Sequence, residues 1–284
     1  MTSTKSILSA SVAAVLLSAG TANAGSGFAY KHYSAVLSRY VNDRGLVDYS
    51  DLKTHPDELE AYAGELSSLD PAVYAGWNDP QKIAFWINAY NGLTLKLIVD
   101  HYPINSSLLR SVVYPKNSIM QIPGRWTKIT FEVMGEPMTL DEIEHQVLRA
   151  KFDEPRIHMA LVCAALSCPR LRNEPFVAER LDGQLDDQTR EFLADKNKFR
   201  IDREKGAVYL SSIFDWFKGD FVARYGSGEP AGRRGEETQA VINFISRYVG
   251  ASDAAYLASG DYKIKYLDYD WTLNEQPDAS VSSD

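Results

Sequence analysis

The segment DPQKIAFWINAYNGLTLKLIVD, residues 79–100, indicates how the chain folds. Asp79 and Pro80 are typical of a helix start, because aspartate caps the first turn and proline fits its first position. His101-Tyr102-Pro103 is expected to end the helix. At roughly 100° per residue the apolar side chains point in nearly every direction, which is typical of a helix buried on all sides. The sequence therefore predicts a central buried helix from Asp79 to about Asp100.

The elements around this helix mix helices with short strands. The capping box Thr139-Leu-Asp-Glu142 predicts a helix that runs to about Lys151. The short apolar run Arg156–Cys163 predicts a central strand. Further helices are predicted at Tyr30–Val41, Phe176–Asp195, Ser212–Tyr225 and Glu236–Tyr248. Hairpins or strands are predicted at Lys128–Val133 with Met138–Leu140, at Phe199–Asp202 with Ala207–Leu210, and at Tyr262–Leu267. The pattern indicates a single α+β domain, mainly helical, with a small antiparallel or mixed sheet.

The two ends of the chain look different from this domain. Lys5, an apolar stretch over 7–17 and Ala22-Asn23-Ala24 follow the pattern of a secretory signal peptide. We therefore expect residues 1–24 to be removed and the protein to be secreted or periplasmic. The α+β domain would then span 25–276, and residues 277–284 read as a disordered tail.

The composition is that of an ordinary globular protein, and the charge is acidic. Lys and Arg number 30 against 38 Asp and Glu, for a net charge of −8. This balance argues against nucleic-acid binding and against adhesion to an anionic membrane surface. No later segment is long and apolar enough to span a bilayer, so we expect no membrane span in the mature chain. No motif for a cofactor or a metal appears, and the sequence leaves the oligomeric state open.

Two asparagines stand among apolar residues of the central helix. Asn88 and Asn91 should both be hydrogen-bonded, because a buried amide without partners costs a few kcal/mol. In one interpretation they tie loop backbone to the helix. In the other, a side-chain amide orients a catalytic histidine or donates to an oxyanion.

Ionisable residues also fall on faces expected to be buried. Glu144 lies inside the apolar arc of the helix after Thr139, and His145 lies beside it. Such groups concentrate at functional sites, although a structural ion pair with Arg170 or Arg172 is the alternative for Glu144. On a regular strand His158 and Cys163 would face opposite sides, which makes His145 the better partner for Cys163.

The two cysteines, Cys163 and Cys168, are open to two interpretations. Cys163 ends the predicted strand, a place where a rigid element often presents a reacting group. A disulfide with Cys168 would need the chain to reverse over Ala164–Ser167, because five residues of helix or strand hold the Cα atoms too far apart. A metal site with His145 matches no known zinc spacing.

These segments resemble a family known as domain of unknown function 547, DUF547. The resemblance covers roughly residues 79–221 and implies an exported bacterial domain, with no settled activity. It rests on five stretches: Phe85-Trp-Ile-Asn-Ala-Tyr-Asn91, Asp141-Glu-Ile-Glu-His145, Arg156 to Ala164, Ser167-Cys-Pro-Arg-Leu171, and Ser212 to Phe221.

The residues favour a thiol-dependent hydrolase or acyltransferase that acts on an amide or ester bond. Cys163 would be the nucleophile, His145 the general base and Asn88 the group that orients His145, with Glu144 as a further member of the site. The alternative is a non-catalytic periplasmic binding or scaffold domain, which would bind a peptide or glycan through its many aromatic residues. The ligand of either, a peptide, an ester or a glycan, is not specified by the sequence.

Overall fold

The computed structural model describes residues 27–226 and 235–277. The predicted signal peptide, residues 1–24, and positions 278–284 of the predicted tail lie outside the described residues. The α-helices are α1 (Lys31–Tyr40), α2 (Tyr49–Thr54), α3 (Asp57–Ser68), α4 (Pro71–Ala75), α5 (Asp79–His101), α6 (Arg149–Lys151), α7 (Leu181–Ala194), α8 (Ile213–Trp216), α9 (Val222–Tyr225), α10 (Glu236–Ser246) and α11 (Ala251–Ser259). A π-helical segment, Glu142–Leu148, precedes α6. Short 3₁₀ turns lie at Arg110–Val112, Ile119–Gln121, Pro155–Met159, Ala178–Arg180 and Lys218–Phe221.

Two small sheets complete the fold. The strands are β1 (Thr130–Val133), β2 (Glu136–Thr139), β3 (Phe199–Asp202), β4 (Ala207–Ser211) and β5 (Lys263–Leu267). Strands β1 and β2 form an antiparallel hairpin. In the second sheet β4 lies between antiparallel β3 and parallel β5. The predicted α+β class with a small mixed sheet is therefore confirmed.

Helix α5 is the buried centre of the larger of two apolar cores. Sixteen of its 23 residues are buried. Asn78 caps it, with its side chain accepting from the Gln81 N–H at 3.0 Å and the Gln81 side chain accepting from the Asn78 N–H. The cap is thus one residue before the predicted Asp79, while the predicted buried helix is confirmed. The second core packs α8, α9 and α10 against the three-stranded sheet.

The predicted central strand over Arg156–Cys163 is wrong. Pro155–Met159 forms a 3₁₀ turn, and the chain then runs between the two cores without joining a named strand. Side chains satisfy part of its backbone: Gln188 of α7 donates to the Met159 carbonyl at 3.1 Å. The alternation argument that separated His158 from Cys163 therefore does not apply.

Across residues 27–226 and 235–277, no helix combines the length and the apolar character that crossing a membrane requires.

The close packing of α5 against α3 gives a test of the core. A Cβ at Gly92 would lie 3.0 Å from Cδ1 of Tyr62, with a closer approach to Cε1, and Tyr62 is fully buried and stacked on Tyr33. We expect Gly92→Ala to destabilise the protein by about 1–3 kcal/mol through overpacking, measured by urea denaturation. Gly64→Ala is the control, since a Cβ at exposed Gly64 of α3 meets nothing within 4 Å. It should be neutral or stabilising by up to about 1 kcal/mol. Equal effects of the two substitutions would contradict this packing.

Candidate functional site

A cavity of about 250 Å³ lies where the two cores meet. Its walls come from α5, the π-helical segment, the turn after Pro155, α8 and the chain after β5. Six aromatic residues line it, namely Tyr90, Trp126, Trp216, Phe217, Tyr269 and Trp271. Five ionisable or sulfur-bearing residues line it as well, namely Asp141, Glu144, His145, His158 and Cys163. We call this cavity the cleft.

Four of these aromatic residues form a continuous cluster, which we call the aromatic wall: Trp126, Trp216, Tyr269 and Trp271. The ring of Tyr269 lies 4.5 Å from that of Trp271 and 4.9 Å from that of Trp216, and Trp126 lies 5.9 Å from Trp271. Trp216 is 49% exposed, so the wall reaches solvent. Trp126, Tyr269 and Trp271 were not among the residues predicted from the sequence. The only local signal was the density of aromatic residues in Tyr266–Trp271.

Cys163 and Cys168 form a disulfide. Their Cα atoms are 6.1 Å apart because the chain reverses between them, with Ala164 in the left-handed region at a φ of 57°. The pair is asymmetric: Cys163 lines the cleft, whereas Cys168 is buried. The hydroxyl of Tyr269 lies 3.3 Å from Sγ of Cys163 and 3.2 Å from Sγ of Cys168. In this state no sulfur is available as a nucleophile.

His145 faces the cleft with its basic nitrogen already occupied. Nη1 of Arg149 lies 2.6 Å from Nδ1 of His145, and an arginine can only donate, so Nδ1 accepts. The proton of the neutral ring is then on Nε2, which lies 3.5 Å from Oδ1 of Asp141. In this arrangement His145 has no free lone pair with which to take a proton from a thiol.

His158 has the arrangement expected of an oriented base. Its Nε2 lies 2.8 Å from Oδ2 of Asp220, and its ring stacks on Phe217 at 4.1 Å. Burial alone would raise the pKa of Asp220, but hydrogen bonds from Arg149 and His158 hold that pKa well below its usual range. The ionised carboxylate accepts a hydrogen bond from the Nε2–H of His158. In the neutral ring the lone pair is therefore on Nδ1. No described residue donates to that Nδ1. The sequence analysis missed this pair because Asp220 is 62 residues away.

Glu144 lies in the cleft, where its carboxylate interacts with Tyr90 and, beyond ion-pair distance, with Arg149. Burial and the nearby Glu144 carboxylate, to which it is hydrogen-bonded, raise the pKa of Tyr90 well above its usual value. The predicted pairing of Glu144 with Arg170 or Arg172 is wrong, since Arg170 pairs with Glu191 and Arg172 with Glu174. Among the described residues no lysine or arginine lies within ion-pair distance of Glu144.

Both asparagines of α5 hold loop backbone. Asn88 donates to the Phe176 carbonyl at 2.7 Å and accepts from the Phe176 N–H at 2.9 Å. Asn91 donates to the Ala160 carbonyl and accepts from the Val162 N–H, both at 2.9 Å. Asn88 is not part of the cleft lining and makes no contact with His145 that would orient it. The loop-tying interpretation describes both residues.

Three of the four site residues predicted from the sequence line the cleft. Glu144, His145 and Cys163 meet at the cleft, whereas Asn88 lies outside it. The described residues hold no group of three or more His, Cys, Asp or Glu side chains arranged to bind a metal ion.

The fold and the cleft define an α+β protein with an aromatic-walled pocket between two cores. The model of a family described as "Protein of unknown function, DUF547" matches residues 74–193. Over these residues the match confirms the resemblance to the DUF547 family seen in the motifs, and the fifth stretch, Ser212 to Phe221, lies outside it. No curated protein and no solved structure shows a significant match to the chain.

The Asp220 cluster predicts a specific pH dependence. Because the native pKa of Asp220 is depressed, its stabilisation is fully present above the usual carboxyl pKa of about 4 and is lost as pH falls below it. Asp220→Asn should lower the free energy of unfolding at pH 7 by about 1–2 kcal/mol, allowing for its partial exposure. The difference in unfolding free energy between the variant and the wild type should become smaller below about pH 4, as measured by urea denaturation.

Asp215→Asn is the control for this titration. Asp215 is 43% exposed and pairs with Lys218 at the surface, so its replacement should change stability little at any pH. If the difference in unfolding free energy between Asp220→Asn and the wild type stays constant from pH 7 to pH 3, the pKa of Asp220 is not depressed.

Proposed function

We propose that the protein is a thiol-dependent hydrolase or acyltransferase of amide or ester bonds that becomes active when the Cys163–Cys168 disulfide is reduced. The observation that carries this proposal is the convergence of Cys163 and the Asp220-oriented His158 on one cleft. Export to an oxidising compartment, expected from residues 1–24, would favour the disulfide as the resting form.

The chemistry begins with two electrons and two protons from a dithiol reductant, which becomes a disulfide as Cys163 and Cys168 become thiols. His158 Nδ1 takes the proton of Cys163, and the thiolate attacks the substrate carbonyl carbon. The leaving alcohol or amine takes that proton back from His158, which leaves a thioester on Cys163. Water or another nucleophile, deprotonated by His158, then attacks the thioester carbonyl carbon. The C–S bond breaks, the acyl group leaves on the new nucleophile, and His158 returns the proton to the Cys163 thiolate.

This assignment moves two roles away from the residues predicted by sequence. His158 replaces His145 as the base, because Arg149 occupies the lone pair of His145. Asp220 replaces Asn88 as the orienting group, because both halves of the Asn88 amide bind Phe176.

A Cys168→Ser variant tests the proposal without added reductant. It leaves Cys163 as a free thiol at the cleft, whereas Cys163→Ser leaves only the buried Cys168. We expect the Cys163 thiol of Cys168→Ser to react rapidly with iodoacetamide, and the pH dependence of this reaction to give an apparent thiol pKa below about 8.5. The variant should also release p-nitrophenolate from p-nitrophenyl acetate. Cys163→Ser should do neither.

The histidines are then compared in the Cys168→Ser background. Adding His158→Ala should lower ester turnover about 100-fold or more and abolish the depressed thiol pKa, while His145→Ala should keep most of the activity. Wild-type protein reduced with dithiothreitol provides the same readout if Cys168→Ser folds poorly. If both forms hydrolyse the ester no faster than the Cys163→Ser/Cys168→Ser double variant, the enzyme proposal fails.

A second candidate function is non-catalytic binding of an organic cation in the oxidised protein. It is favoured by the aromatic wall together with the carboxylates of Asp141 and Glu144, for which no described lysine or arginine serves as an ion-pair partner. Aromatic faces and carboxylates together attract quaternary and primary ammonium groups. This candidate would make the protein a binding domain, with the disulfide as a fixed part of the cleft.

Calorimetry with choline and its neutral isostere 3,3-dimethylbutan-1-ol tests this candidate with the disulfide intact. We expect choline to bind about ten-fold more tightly than the isostere, and Glu144→Gln to remove most of that difference. Glu132→Gln, at a residue outside the cleft, is the matched control. Equal binding of both compounds, or binding of a neutral oligosaccharide alone, would contradict a cation site.

A further inference from the structure

The turn around Arg110–Val112 exposes four aliphatic side chains within six residues. Leu108 is 91% exposed, Leu109 86%, Val112 85% and Val113 72%. Clusters of this kind at a protein surface mark contacts with a partner or a membrane. We call residues 107–113 the aliphatic tip.

The tip is held in place by polar groups that point inward. Gln121 is buried and accepts from the Ser107 N–H at 3.1 Å while donating to the Pro115 carbonyl at 3.0 Å. Nη1 of Arg110 donates to the Gln121 carbonyl at 3.0 Å. The charged side chain is thus turned toward the protein and the aliphatic side chains toward solvent, the reverse of an ordinary surface turn.

The charge around the tip differs from that of the rest of the chain. Residues 101–131 contain no aspartate or glutamate, although the whole chain has a net charge of −8. The same segment contains four cationic residues, namely Arg110, Lys116, Arg125 and Lys128. Lys116 and Lys128 are exposed. Exposed aliphatic groups in a segment that also carries exposed lysines suit a bilayer surface with anionic headgroups.

We propose that the aliphatic tip inserts into the interfacial region of an anionic lipid membrane, with Lys116 and Lys128 binding the headgroups. A second copy of this chain is a poorer occupant. A symmetric pair joined through the tip would bring two sets of the same cations together, and like charges across an interface oppose association.

Vesicle sedimentation of the full chain tests the proposal. The probes are vesicles of phosphatidylcholine with and without phosphatidylglycerol. We expect stronger sedimentation with phosphatidylglycerol, and a loss of about ten-fold or more when Leu108, Leu109, Val112 and Val113 are all changed to serine. The four-serine variant keeps the N-terminal apolar stretch, so the difference isolates the tip. Because the four side chains are exposed, the variant should keep the wild-type circular dichroism spectrum.

Two further variants separate the apolar and the charged contributions. Lys116→Gln and Lys128→Gln should each weaken binding to the phosphatidylglycerol vesicles about five-fold, with little effect on phosphatidylcholine alone. A fluorescent NBD label on Val112→Cys should shift to the blue and brighten on anionic vesicles. The same label on Ala258→Cys, exposed in α11, should not change.

Three results would overturn the proposal. The first is equal sedimentation of the wild type and the four-serine variant. The second is an unchanged NBD spectrum at position 112. The third is a fall in oligomer mass in the four-serine variant, measured by light scattering, with no vesicle binding by the wild type, which would assign the tip to a second copy. The NBD label is attached with the Cys163–Cys168 disulfide intact, so that only the introduced cysteine reacts, and none of the outcomes depends on the proposed hydrolase activity.

Discussion

The hydrogen bonds of Asn91 fix the part of the chain from which the cleft is built. A buried helix can carry an amide only if both of its polar groups are paired, since each unpaired group costs about 1–3 kcal/mol. Asn91 meets this requirement by bridging the Ala160 carbonyl and the Val162 N–H. The next residue along the chain is Cys163. The position of that sulfur thus depends on an amide that belongs to α5 and takes no part in the lining of the cleft.

Side chains continue to support this segment where a sheet would otherwise do so. Gln188 donates to the carbonyls of Met159 and Arg170, and Glu154 caps the turn by accepting from the Arg156 N–H. Because side chains pair with this backbone, the segment is buried without forming the strand that its sequence predicts. A short buried apolar run has the same composition whether its backbone pairs with a strand or with asparagine and glutamine side chains. The deciding partners lie on α5 and α7, far away in sequence.

Local rules predicted some local features well and others only in part, since the predicted helix Ser212–Tyr225 is divided into α8, a 3₁₀ turn and α9. The extent of α5, the hairpins and the capping box at Thr139 and Glu142 all follow from residues that are neighbours in the chain, and the capping hydrogen bonds form as expected. The polar residues on apolar faces were also a useful signal, because Glu144, His145 and Cys163 do share one cavity. The role of each residue in the cleft depends on contacts that cannot be predicted from the spacing of residues in the sequence. Arg149 decides the tautomer of His145, and Asp220 that of His158.

The same distinction between local and average properties applies to charge. The net charge of −8 determines how the protein attracts or repels distant ions. At ordinary ionic strength, however, screening limits the influence of an exposed charge to about 10 Å. The segment that carries the aliphatic tip, residues 101–131, contains exposed Lys116 and Lys128 and no aspartate or glutamate, although Glu275 accepts a hydrogen bond from Asn117 at 2.6 Å. Within the cleft, Asp141 and Glu144 contribute carboxylates, while Arg149 pairs with Asp220 and also interacts electrostatically with Glu144. The two proposals for this acidic chain, a cation-binding cleft and a tip that meets anionic headgroups, are compatible because each depends on nearby charges and not on the net charge.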